Sequence, residues 1–197
     1  MTDPDRRTAL VRSYDHAAAI VAGVRPDQLG GPTPCRQFDV GTLVDHLVGA
    51  GHRAVALGRG EPVPNTEFPH FELSDAPGEL RRAGHDAASA WADDDRLSAT
   101  TTMPWGEQYA GAILVDMYLA ELAAHAWDLA RATGQLDRLD PELARSALDG
   151  ARSMLKPEYR DMVEPGSPYG AEVEAPVGAD DWDRFAAFMG RDPSSAA

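Results

Sequence analysis

Three ionisable residues share one face of a single apolar segment. Glu121 and His125 are four residues apart, and Asp128 follows His125 by three. On a helix of about 3.6 residues per turn these side chains leave the same face in a row. Leu114, Met117 and Tyr118 occupy that stripe one and two turns earlier, so the row interrupts a core-facing surface. Unpaired charge in a core is expensive, and a divalent metal resolves the conflict. A carboxylate and an imidazole at this spacing can grip one ion from one helix. The competing reading is a solvated helix face, where Glu and His at this spacing are common.

A third donor comes from another apolar stripe. His46 sits among Leu43, Leu47 and Ala50, beside the small Gly49, which leaves room for an ion or a substrate; the plainer reading is a hydrogen-bonded core histidine. His52 is turned roughly 120° away from His46 and cannot share its ion, whereas Arg53 returns to nearly the same face. His, Glu and His leave one coordination position open, the pattern of a catalytic rather than a structural zinc. Such an ion activates water or a thiol, or polarises a carbonyl. Mixed nitrogen and oxygen ligation also suits nickel, iron and manganese.

The other candidates are weaker. His16, beside Asp15, reads as a surface or capping residue, His70 as part of a loop that at most lines an entrance, and His85 as exposed. Cys35 in Thr33-Pro34-Cys35 reads as a small buried residue. No Gly-rich phosphate loop, nucleophile elbow or Cys-x-x-Cys pair is present.

The elements that must position these residues follow from periodicity and breakers. A first helix runs from about Asp5 to Gly23, and a second from an N-cap at Asp39 towards Leu57. Residues 62–77 form a loop, and a third helix spans about Gly78 to Ala92. Arg96 to Gly106 reads as extended or irregular. One long helix spans about Gln108 to Thr133, stopped by Gly134. Another begins at Pro141 and ends near Leu155. Residues 156–180 read as a surface crossover, Asp181 to Met189 as a short terminal helix, and Pro193 to Ala197 as frayed. Without convincing strands, the economical architecture is an all-α four-helix bundle with additional short helices and a C-terminal docking helix, in one domain.

Composition agrees with this picture. The 197 residues are 43% hydrophobic and 25% charged, as in an ordinary globular domain. A net charge of −14 repels phosphates, so nucleic acid and anionic membrane are poor partners. No apolar run approaches a bilayer span and the start carries no signal-type stretch, which makes a cytoplasmic location the plain expectation. The single cysteine excludes an intrachain disulfide.

The run Thr33-Pro34-Cys35-Arg36-Gln37-Phe38-Asp39-Val40, leading into Leu43-Val44-Asp45-His46-Leu47-Val48-Gly49, resembles the second-helix signature of actinobacterial metal-binding proteins of the DinB superfamily. Its nearest likeness there is to the N-terminal domains of mycothiol-dependent maleylpyruvate isomerases. The run from Glu121 to Gly134 and the closing Phe188-Met189-Gly190-Arg191-Asp192-Pro193 are similar to the same group. The resemblance implies a DinB-like four-helix bundle holding a divalent metal, usually zinc, through His46, Glu121 and His125. It also implies a thiol such as mycothiol or bacillithiol, activated for transfer to an electrophile or for isomerisation. The chain departs from the isomerase pattern in lacking a separate C-terminal domain and in carrying Phe38 where many relatives have Trp.

Three functions are compatible with these residues. The first is a metal-dependent thiol S-transferase or isomerase-like enzyme, with Arg53, Trp105 and Tyr109 as pocket residues and Asp45 or Asp128 orienting a ligand imidazole. Its partners are a small-molecule electrophile and a thiol. The second is a metal-dependent hydrolase, lyase or cyclase working without thiol. The third is a non-catalytic protein that sequesters a metal or ligand. Trp182, Phe185 and Phe188 can close either their own core or a homodimer contact.

Overall fold

The computed structural model describes residues 4–63, 69–104, 106–160 and 169–195. Seven α-helices and one short ribbon lie among them. Helices α1 (Pro4–Val21), α2 (Val40–Arg59), α3 (Ala76–Ala90) and the long α5 (Gly111–Thr133) form the four-helix bundle. Around the bundle the order is α1, α3, α2, α5, and α1 and α2 face each other across the diagonal. Outside it, α6 (Pro141–Met154) packs on α5 and α1, and α7 (Asp181–Phe188) on α6 and α5.

Local chemistry explains the boundaries. Asp39 caps α2 by accepting from Thr42 N at 2.8 Å, and Val40, Leu43, Val44, Leu47, Ala50 and Ala54 form its buried stripe. Helix α5 is buried around most of its circumference, so its polar residues are forced inside.

The ribbon corrects the expectation of no strands. β1 (Thr100–Thr102) pairs antiparallel with β2 (Gln108–Ala110), so the long helix starts three residues later than its periodicity suggests. Gly111 sets that start: a Cβ there would stand 2.0 Å from the Arg96 carbonyl oxygen. A further short helix, α4 (Asp94–Ser98), is capped by Asp93.

Other readings change or are narrowed. His16 is 8% exposed and stacks on Trp182 at 5.6 Å between ring centroids, because α7 folds back over it. Trp182 and Phe185 are buried in this chain's own core, and Phe188 packs against it. Residues 193–195 are not frayed: Pro193 is buried, and the Asp192 carboxylate accepts from Ser194 N at 2.8 Å. The stretch read as a surface crossover is anchored as well. Val173 N donates to the Ala187 carbonyl at 3.0 Å, and Arg160 donates to the carbonyls of Gly170 and Phe188. No helix among the described residues is long and apolar enough to cross a membrane.

Candidate metal centre

The fold brings the three donors together between α2 and α5. His46 Nε2 donates to Glu121 Oε1 at 2.9 Å, and His125 Nε2 lies 3.4 Å from the same oxygen. The donor atoms all fall within 4.8 Å of one another. The two imidazoles meet edge to face, 4.8 Å between centroids. Phe38 lies 4.7 Å from the His46 ring and closes one side. It reaches that place because the Thr33 hydroxyl donates to the Phe38 carbonyl at 2.8 Å, folding the loop before α2.

A chain of partners fixes His125. Asp128 Oδ2 accepts from His125 Nδ1 at 3.0 Å, which aims Nε2 at the centre. Arg191 holds Asp128 through Nη2 to Oδ2 at 2.9 Å and Nε to Oδ1 at 3.2 Å. Both residues are buried. This is the carboxylate–histidine arrangement that orients and strengthens metal-ligating imidazoles.

The electrostatics point the same way. Burial by itself would lower His125, yet the nearby Glu121 charge and the charge and hydrogen bond of Asp128 raise it to about 9. Burial would raise Glu121, and His125 and His46 overcome it, holding the carboxyl well below its ordinary range. His125 Nε2 is buried and, with Glu121 Oε1 at 3.4 Å, makes no hydrogen bond, which leaves its lone pair suited to metal ligation. The donor set of two imidazole nitrogens and a carboxylate oxygen therefore fits a divalent ion.

Cys35, His125 and Asp128 also cluster, but both oxygens of Asp128 are engaged by Arg191 and His125. Burial and Asp128 push the Cys35 thiol up to about 11, so it stays protonated and poorly suited to ligation.

The remaining candidates divide. The Arg53 guanidinium opposes the burial that raises the Tyr118 phenol, and Tyr118 lies one turn before Glu121 on α5. Tyr109 lies in the ribbon, where its hydroxyl donates to Glu107. Trp105 is outside the described residues. Asp45 is a correction: its oxygens accept from His70 Nδ1 at 2.9 Å and Phe71 N at 2.8 Å. One residue from His46, it is turned about 100° around the helix, towards the 69–71 segment. His52 faces Glu79, and His85 is exposed.

Sequence reasoning missed Tyr169, whose hydroxyl donates to Glu121 Oε2 at 3.0 Å. It also gave no role to Arg191, although that residue stands in the closing run. Neither lies in a periodic element shared with its partner.

Residues 10–130 match the family described as the mycothiol maleylpyruvate isomerase N-terminal domain. The chain belongs to that family. The matched span contains His46, Glu121, His125 and Asp128, and it stops before Tyr169 and Arg191. The structure is accordingly an all-α, DinB-like bundle. The chain is also 37% identical over 185 residues to uncharacterized proteins of Mycobacterium tuberculosis strains CDC 1551 / Oshkosh and ATCC 25618 / H37Rv, covering 91% of this chain and 94% of each. No solved structure matches.

Proposed function

We propose that the chain is a metal-dependent thiol S-transferase or isomerase-like enzyme. His46, Glu121 and His125 hold a zinc-type divalent ion, and a low-molecular-weight thiol such as mycothiol reacts with a small-molecule electrophile. The observation that carries this reading is the convergence of three donors with His125 Nε2 buried and without a hydrogen bond. A divalent ion held by these residues would act as a Lewis acid that lowers the pKa of a thiol, so that thiolate would be present near neutral pH. A cytoplasmic setting suits such chemistry, since thiols stay reduced there.

The protein residues then have distinct tasks. Asp128 and Arg191 hold His125 in one tautomer and one orientation. Phe38 shields the His46 face from water. Arg53, whose charge is felt by Tyr118 one turn before Glu121, offers a cation for an anionic group on either substrate. In the transfer, sulfur forms a bond to the electrophilic carbon, the thiol proton passes to solvent, and the leaving group departs with its electron pair.

The test is adduct formation by the zinc-loaded protein with mycothiol and an alkylating reporter, followed by mass spectrometry. The expected result is thiol-dependent acceleration over the spontaneous rate, lost in His125→Ala. Turnover of a substrate that persists after thiols are removed would point instead to hydrolase, lyase or cyclase chemistry at the same centre. Tight binding of a compound recovered unchanged would point to sequestration.

A further inference from the structure

Glu121 has two carboxylate oxygens, and the structure treats them differently. Oε1 faces His46 Nε2 at 2.9 Å and His125 Nε2 at 3.4 Å. Oε2 instead accepts the Tyr169 hydroxyl at 3.0 Å. A carboxylate with both oxygens free can grip a cation with two prongs. One whose second oxygen already accepts a hydrogen bond has lost much of that oxygen's donor strength and is held at a fixed angle.

The position of Tyr169 is built. Gly170, the next residue, packs so closely on Gly190 that a Cβ on Gly190 would stand 2.7 Å from the Gly170 backbone. Gly190 also adopts φ +81°, a conformation side chains disfavour. Arg160 ties the pair by donating to the Gly170 carbonyl at 3.1 Å and the Phe188 carbonyl at 2.6 Å. Arg191 follows Gly190 directly and reaches Asp128. One backbone contact thus sets the outer partners of two donors, Glu121 and His125.

We infer that Tyr169 is a positioning residue whose phenol restricts Glu121 to one-oxygen ligation, so that three protein atoms hold the ion and one position stays available to substrate. The inference rests on the proposed metal centre. It assigns to residues 169–191 a task that the family match, ending at residue 130, does not cover.

Cobalt(II) is the probe, because its visible d–d bands separate four-coordinate from five-coordinate sites and need no turnover. The cobalt-loaded wild-type chain is expected to show the intense bands of a four-coordinate site. Tyr169→Phe keeps the ring and removes only the hydroxyl. It should weaken those bands as Glu121 becomes two-pronged, and lower cobalt affinity by about 10- to 100-fold. Gly190→Ala is the second variant: it keeps the hydroxyl but displaces the strap, and should move the spectrum in the same direction while circular dichroism stays helical. If both variants keep the wild-type spectrum and affinity, the inference is overturned and the metal centre stands. If the wild-type chain takes up no cobalt, the metal centre falls and takes the inference with it.

Discussion

Helix α5 carries two buried polar clusters, and they are built on opposite principles. Asp116, near its start, accepts from Arg6 at 2.8 Å through one oxygen and from the Ser153 hydroxyl through the other. Ser153 and Arg6 come from α6 and α1, so that cluster staples three helices with donors and acceptors in balance. One to three turns later, Glu121, His125 and His46 bring their ligand atoms together, and His125 Nε2 has no hydrogen-bond partner. The first cluster is complete as protein. The second leaves a buried ring nitrogen without a hydrogen bond, and that separates it from the structural ion pair on the same helix.

The contrast can be broken by mutation. The largest effect is expected for His46→Ala or His125→Ala, which should each weaken zinc binding by about a thousandfold or more, measured by competition with a chromogenic chelator. Asp116→Asn should leave zinc affinity unchanged and cost about 1–3 kcal/mol of stability, measured by denaturant unfolding. Loss of zinc affinity in Asp116→Asn would show that the two clusters are not separate.

Next in size is the ion pair behind His125. Arg191→Met leaves Asp128 buried without its cation and should cost about 3–5 kcal/mol. Adding Asp128→Leu to Arg191→Met should recover much of that stability while zinc affinity stays low, because the His125 orientation is lost. A double variant that bound zinc as tightly as the wild type would remove Asp128 from the account.

The smallest effect sharpens the electrostatic side. His125 is raised from its ordinary value near 6.5 to about 9 in the metal-free chain. Its contribution to metal-free stability is therefore full below about pH 6.5 and is lost as pH rises through about 9. Zinc needs the neutral imidazole, so uptake at pH 7.5 should release about one proton, and less above pH 9. Calorimetry in buffers of different ionisation enthalpy measures this. Proton release that did not vary across that window would contradict the assignment.

The legible and illegible parts of the sequence divide along the same physical line. His46, Glu121, His125 and Asp128 lie on long helices, where spacing converts directly into direction, and the structure brings all four together. Asp45 sits on the same helix but was misdirected, since a neighbour in sequence points to a different face. Tyr169 and Arg191 reach the centre through an aperiodic strap and a turn, which no local period encodes. Thr100–Thr102 lies in the stretch that reads as extended, whereas the second strand from Gln108 reads as helix because three residues cannot distinguish the two periods, and the close approach at Gly111 decides it. His16 was placed outside because the helix that covers it arrives 165 residues later, at Asp181.

The most direct test is the metal content of tag-free protein purified without chelators and measured by inductively coupled plasma mass spectrometry. The account predicts about one equivalent of a divalent metal per chain. A protein that arrives without metal, and takes up neither zinc, nickel nor manganese when offered them, would contradict it and make the three residues a polar core.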